Sequence, residues 1–348
     1  MNRTLLICIL FIFFVSCTNR KSLLSLFDQQ KNISHVSIIQ PAISHYPYSL
    51  ALYDTLLVWA DPFDDKHLTL FDVRNNKQVH RFGFIGNGPG EIMMWSAGKK
   101  YQQKYYHMYD VNQKRLVEYS IVDAARDSMY RPKVSYNLHR LPSLFGTAQV
   151  SDDLFIGQTS HSDEIYALFD GSGNLIFSGY TYPEDDKKNL PPNVKSFAYQ
   201  GQFHQNPYDN SLLVHVGIYG AIIDILKIEN NKIVRKKRHK YVLPKYSPFY
   251  IGDMSGIIQD KDNIIGSCDV AVTKDFIYIL YADKTAVNEC NESNSRSSDI
   301  ILVFNWSGEP VMYYKSDVEL YRICVSDDNQ TMYGVIMNPE AELVKFSL

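Results

Sequence analysis

Leu70-Phe71-Asp72-Val73-Arg74-Asn75-Asn76-Lys77-Gln78-Val79 reads as an apolar run closed by an aspartate, a polar turn, and a second strand-forming run. Asp and Asn suit a tight hairpin, because they tolerate positive φ and hydrogen-bond their own backbone. The pattern returns as Met108-Tyr109-Asp110-Val111-Asn112-Gln113-Lys114-Arg115-Leu116-Val117 and as Leu168-Phe169-Asp170-Gly171-Ser172-Gly173-Asn174-Leu175-Ile176. Ile225-Leu226-Lys227-Ile228-Glu229-Asn230-Asn231-Lys232-Ile233-Val234 repeats it without the Asp, and Val303-Phe304-Asn305-Trp306-Ser307-Gly308-Glu309-Pro310-Val311 is a fifth copy. Glu342-Leu343-Val344-Lys345-Phe346 begins a sixth.

A second element precedes these hairpins. Val150-Ser151-Asp152-Asp153-Leu154-Phe155-Ile156-Gly157 and Val325-Ser326-Asp327-Asp328-Asn329-Gln330-Thr331-Met332-Tyr333-Gly334 share the order strand, acidic turn, strand, and Asp260 to Gly266 is a weaker relative. Two hairpins in tandem make a four-stranded antiparallel unit of about 45 to 60 residues, and such units repeated around a ring are propeller blades. No long amphipathic helix pattern interrupts them; only Ser120 to Asp127 has the makings of a helical turn or two. The expected fold is all-β, a six-bladed β-propeller with boundaries near 45–90, 91–135, 136–187, 188–250, 251–317 and 318–348. The last unit is too short for four strands, so Val36-Ser37-Ile38-Ile39 is expected to complete it, closing the ring and covering an edge.

Composition agrees with a large core: 45% of the 348 residues are hydrophobic and 21% charged. The 25 Tyr and 18 Phe favour strands. A net charge of -3 argues against a nucleic-acid partner. Ahead of the propeller, Met1-Asn2-Arg3, an apolar run from Leu5 to Val15, and Ser16-Cys17 form a secretory signal too short to span a bilayer. Cysteine after a small residue is what lipid attachment needs, and Phe14-Val15-Ser16-Cys17 resembles a lipobox with Phe14 where Leu is usual. The expected division is a lipoprotein signal peptide over 1–16, a tether over 17–33 opening on lipidated Cys17, and a propeller over 34–348. Of the remaining cysteines, Cys268 and Cys324 sit in apolar strands as small hydrophobes, and Cys290 lies in a polar loop.

Chemical motifs are sparse. Ten histidines are scattered without a His-Glu-x-x-His, so no metal is expected. Asp61, Asp64 and Asp65 with His67 read as a solvated loop, and Asp170 to Asn174 as a hairpin turn rather than a calcium loop. No Gly-x-Ser-x-Gly occurs, and nothing selects among the carboxylates Glu91, Glu164, Asp185 and Glu309. No catalytic residue and no cofactor is assigned. The basic run Arg235-Lys236-Lys237-Arg238-His239-Lys240 fits a protected outer strand better than a lipid-headgroup patch, and the Tyr clusters fit packing better than a ligand face.

The sharpest local signature is Arg81-Phe82-Gly83-Phe84-Ile85-Gly86-Asn87-Gly88-Pro89-Gly90-Glu91. It lacks the Lys-Ser/Thr of a phosphate loop and no helix follows, so Gly86, Gly88, Pro89, Gly90 and Glu91 are expected to form a structural turn between blades one and two. Gly88 and Gly90 are expected at backbone angles that a Cβ disfavours. With the lipobox-like start and the blade spacing, this turn resembles the six-bladed β-propeller lipoproteins of Bacteroidetes, the TolB-like propeller families, whose members commonly carry Gly-x-Gly-Pro-Gly-Glu after the first complete blade. The resemblance implies fold and cell-envelope location and little about activity. Thr18 after Cys17 resembles outer-membrane sorting, so an outer-membrane lipoprotein facing the periplasm is expected, while Thr18-Asn19-Arg20-Lys21 lacks the acidic stretch associated with surface export, which leaves the side of the membrane open. The expected role is a binding or scaffold module for an envelope protein, peptide or glycan. The alternative is a carbohydrate-active hydrolase or lyase, which would show convergent His or carboxylate groups at one mouth of the channel.

Overall fold

Short, nearly continuous apolar runs form the inner strands, which are buried on both faces between neighbouring sheets, and more polar runs form the half-exposed outer strands. The computed structural model describes residues 23–348 apart from 40–46, 95–97, 133, 141–143, 161, 253, 286–295 and 338. Two N-terminal strands, β1 (Gln30–Ile33) and β2 (Val36–Ile39), precede the first blade, β3 (Ser49–Tyr53), β4 (Leu56–Phe63), β5 (Lys66–Asp72) and β6 (Lys77–Phe84). Blade two holds β7 (Lys99–Tyr101), β8 (Tyr105–Asp110), β9 (Arg115–Ser120) and β10 (Val134–Asn137), with helix α1 (Ile121–Arg126) capped by the Ser120 side chain before β10. Blade three is β11 (Leu144–Ser151), β12 (Leu154–Thr159), β13 (Glu164–Asp170) and β14 (Leu175–Thr181), followed by helix α2 (Pro192–Ala198). Blade four is β15 (Gly201–Gln205), β16 (Leu212–Gly217), β17 (Ala221–Glu229) and β18 (Lys232–Val242). A separate hairpin, β19 (Tyr246–Ile251) and β20 (Met254–Gln259), leads to blade five: β21 (Ile264–Val272), β22 (Phe276–Thr285), β23 (Ser298–Asn305) and β24 (Pro310–Leu320). Blade six is β25 (Arg322–Val325), β26 (Thr331–Met337) and β27 (Ala341–Ser347), with β2 as its fourth strand.

The ring closes as the sequence suggests: Val36 pairs with Lys345, Ser37 with Val344 and Ile39 with Leu343, antiparallel. The expected tether is corrected from Leu23 onward. Leu23 to Leu26 make a 3-10 turn, Leu23 and Phe27 are buried between blades four and five, and β1 lies parallel on the outer edge of β24. Leu23, Phe27 and Ile33, all buried, and the half-buried Leu24 anchor this segment, spaced without a strand period. The expected signal peptide and Cys17 lie outside the described residues, as does Cys290. Two blade boundaries shift: β10 ends at Asn137 rather than before 136, and β24 runs to Leu320 rather than 317. The β19–β20 hairpin, split between blades four and five in the sequence reading, belongs to neither sheet.

The core is divided among the six blade interfaces rather than pooled at the centre. Tyr and Phe fill these interfaces: Tyr106, Tyr119, Tyr166, Tyr278, Phe82 and Phe155 are fully buried. A polar girder joins blades three and four, where the Tyr166 hydroxyl donates to Asp224 at 2.6 Å and lies 3.0 Å from His215 Nδ1. Arg238 grips the same Asp224 with Nε and Nη2 at 2.7 and 2.6 Å. The basic run of β18 is largely spent this way, since Lys236 pairs with Glu229, Lys237 with Glu309, and Arg235 stacks over Tyr180.

Candidate functional site

The first strands of successive blades, β3, β7, β11, β15, β21 and β25, stand around the central axis. The turns that lead from them to the second strands gather at one end, here called the upper end. The repeated acidic turns of the sequence belong there: Asp152-Asp153 joins β11 to β12 and Asp327-Asp328 joins β25 to β26. Asp54 and Asp275 occupy the corresponding turns of blades one and five. The rim is stitched by hydrogen bonds between neighbouring turns, Asn206 Nδ2 to the Lys274 carbonyl at 3.1 Å and Asn329 Nδ2 to Asp275 at 2.9 Å. Across the mouth, Asp327 takes Gln103 Nε2 at 3.0 Å and Lys100 Nζ at 3.4 Å, linking blade six to blade two.

Above this link opens a cavity of about 710 Å³ lined by Tyr53, Asp54, Gln103, Lys104, Tyr208, Asp327 and Asp328. The Tyr208 ring is 61% exposed at its edge. Partial burial, then the charges of Asp327 and Asp275, hold the Tyr208 phenol above its ordinary range. Below the mouth the axis narrows to a throat of about 60 Å³, enough for one or two waters. At the lower end a recess of about 170 Å³ is lined by Phe145, Gly146, Gln200, Gly201, Gln202 and Ile218.

Lys99 borders both the throat and the recess. Strand alternation along β15 sends Gln202 and His204 toward the axis while Phe203 is buried behind them. Lys99 Nζ donates to the Phe203 carbonyl and lies 6.0 Å from the Phe203 ring centroid. Asp269, on β21, accepts from the Ile323 backbone N–H at 2.8 Å and faces Lys99 without forming an ion pair with it. Burial brings the Lys99 amine down to about 7, with the Asp269 charge opposing, and lifts the Asp269 carboxyl to about 6. Burial, then the charge of Lys99, holds His204 well below its usual range. A base and an acid pushed toward neutrality in one cavity mark a site where chemistry or recognition is possible.

The carboxylates that the sequence offered do not meet. Glu164 is held by Ser178, Asp185 by Tyr199 and Tyr246, Glu309 by Lys237, and Glu91 by its own turn. Asp61 and His67, expected in a solvated loop, are buried: Asp61 bonds Arg81 at 3.1 Å and His67 the Tyr119 hydroxyl at 3.1 Å. Among the described residues, no group of His, Cys, Asp or Glu is placed to hold a metal. Cys268 and Cys324 are buried and unpaired. In the Gly86–Glu91 turn, Gly90 has φ +74° and its missing Cβ would sit 2.9 Å from Pro132. Gly88 differs from expectation, because its φ is ordinary and its constraint is the Glu91 carboxylate, 2.9 Å from where a Cβ would be. Glu91 Oε2 accepts from Gly88 N at 3.0 Å and Oε1 from Arg131 at 2.7 Å, which keeps Glu91 below the usual carboxylate range. Lys99, His204 and Asp269 escaped the sequence reading; the available signal was Asp269 inside an apolar run.

A family model described as TolB-like 6-blade propeller-like matches residues 27–328. No curated protein matches the chain. Among solved structures, a member of the DUF4221 family from Bacteroides vulgatus superposes with a TM-score of 0.54 at 12% identity, covering 92% of this chain and 98% of that one. A putative exported protein from Bacteroides fragilis superposes with a TM-score of 0.52 at 11% identity, covering 93% and 95%. At such identities these two likenesses speak to fold alone.

Proposed function

The chain belongs to the TolB-like six-blade propeller family, and on that premise we propose that it is an exported binding propeller of the cell envelope, held to a membrane by lipid on Cys17. Its ligand is a peptide segment of another envelope protein, bound at the upper mouth. One observation carries the reading: a cavity of about 710 Å³ rimmed by turns from several blades narrows to a throat of about 60 Å³. A chain segment can lie across such a mouth but cannot thread it. The exposed Tyr208 ring offers a flat apolar contact, and Asp54, Asp275, Asp327 and Asp328 favour a ligand with basic side chains. Among the described residues no helix is long and apolar enough to cross a membrane. Cys17→Ala should release the protein from membranes without altering its melting.

The test of binding is a peptide and glycan array probed with the chain lacking residues 1–18, alongside Tyr208→Ala and Asp327→Ala. Basic peptides whose signal falls at least tenfold in both variants support the reading. Binding to glycans alone, or binding indifferent to both substitutions, contradicts it. A second reading, a carbohydrate-active hydrolase or lyase, draws on the convergence of Lys99, His204 and Asp269 at one throat. Turnover of a polysaccharide that is lost in Asp269→Asn would favour it.

A further inference from the structure

Lys99 carries no ion pair among the described residues, although a carboxyl lines the same throat. Its amine has one hydrogen-bond acceptor, the Phe203 carbonyl, and stands where the throat meets the lower recess of about 170 Å³. The walls of that recess are Phe145, Ile218, two glycines and the amide residues Gln200 and Gln202, and Lys99 is its one titratable group. We propose that Lys99 is a covalent capture site for small aldehydes or ketones, which enter through the lower recess and form an imine at Nζ, with Asp269 as the proton donor. This goes beyond the peptide reading, which concerns the opposite mouth.

The parts needed are an unprotonated amine, a proton source for the departing oxygen, and a cavity that admits a small carbonyl compound. Lys99 supplies the first, because burial lowers it to about 7, where a surface lysine is almost wholly protonated. Asp269 supplies the second, because burial raises it to about 6 and leaves part of the population protonated near neutrality. The charged and titratable groups facing the Lys99–Asp269 pair are His204 and, behind it, His215 from blade four, Lys100 on the strand of Lys99, and Arg322 from β25, whose charge opposes the rise of the Asp269 carboxyl. Both histidines are held neutral by burial, so they neither compete for the proton nor stabilise the ammonium. In the reaction, the Nζ lone pair bonds to the carbonyl carbon. The carbonyl oxygen takes one proton from the amine and one from the Asp269 carboxyl and leaves as water. The second amine proton passes to the Asp269 carboxylate, so that amine plus carbonyl become imine plus water and Asp269 ends as it began.

The experiment incubates the protein with glycolaldehyde and cyanoborohydride and maps modified lysines by peptide mass spectrometry across pH 5 to 9. We expect Lys99 to be labelled at least tenfold faster than surface lysines at neutral pH, since its unprotonated fraction is about a thousandfold greater. Its rate should rise to a plateau near its own midpoint of about 7. Asp269→Asn should slow labelling at least threefold, and Lys99→Arg should remove the adduct. Because the comparison is among lysines of one wild-type molecule, it does not depend on either variant folding. Labelling of Lys99 no faster than that of surface lysines would overturn the site, and an unchanged rate in Asp269→Asn would overturn the role of Asp269.

Discussion

Replacing Lys99 by Met should make the protein more stable. The folded state favours the neutral amine, since burial lowers it from 10.5 to about 7. At pH 6 to 7 the wild type therefore bears the cost of holding an ammonium in the throat, and 3.5 pH units at about 1.36 kcal/mol each would set an upper bound near 5 kcal/mol. Lys99 keeps partial contact with solvent, and Met loses the bond to the Phe203 carbonyl, worth about 1 kcal/mol, so a gain of roughly 1–3 kcal/mol remains. The sign can be checked by pH. Between about 7 and 10.5 the unfolded chain binds the proton that the folded chain releases, so wild-type stability rises with pH there. The advantage of Lys99→Met should accordingly shrink across that range. Denaturant unfolding at pH 6.5, 8 and 9.5 measures it. A variant less stable than wild type at pH 6.5, or an advantage that does not change with pH, would refute the reasoning and make Lys99 a structural residue.

Acid should destabilise the fold through His67 and His215, both buried and brought down to about 3, because the unfolded chain binds their protons first as pH falls below 6.5. Each removes up to about 1.4 kcal/mol per pH unit, partly offset by Asp269, and an unchanged denaturant midpoint between pH 6.5 and 5 would contradict this. Deleting residues 23–39 strips β24 of β1 and β27 of β2, so the truncated chain should melt earlier and aggregate; an unchanged melting curve would remove the closure argument. Gly90→Val should cost roughly 1–3 kcal/mol, read by thermal melting, because φ is +74° and Pro132 stands in the way. Tyr166→Phe should cost about 1–3 kcal/mol by leaving Asp224 and His215 short of a partner, read by denaturant unfolding.

The ring was legible because its hairpins repeat. Four of the five complete copies of the Asp or Asn turn join third to fourth strands; the one at Met108 to Val117 instead joins β8 to β9. The truncated copy at Glu342 to Phe346 is the third strand of blade six, which is why a strand had to come from upstream. Charged residues that fold inward were harder to see. Asp61 and Arg81 are adjacent only once β4, β5 and β6 pair, and nothing local marks them as buried partners. Lys99, His204 and Asp269 sit on three blades and approach only when the circle closes, so their spacing carries no period. The β19–β20 hairpin was missed because its strands look like blade strands; only pairing shows that they join no blade.

Hydrogen exchange in the presence of a bound basic peptide tests whether the upper mouth is the binding site. Slowed exchange is expected only in the upper turns, residues 53–56, 101–104, 206–211 and 326–330, with the outer strands β6, β14 and β18 unchanged. Protection along those outer edges or on the β19–β20 hairpin, with the upper turns unaffected, would contradict it.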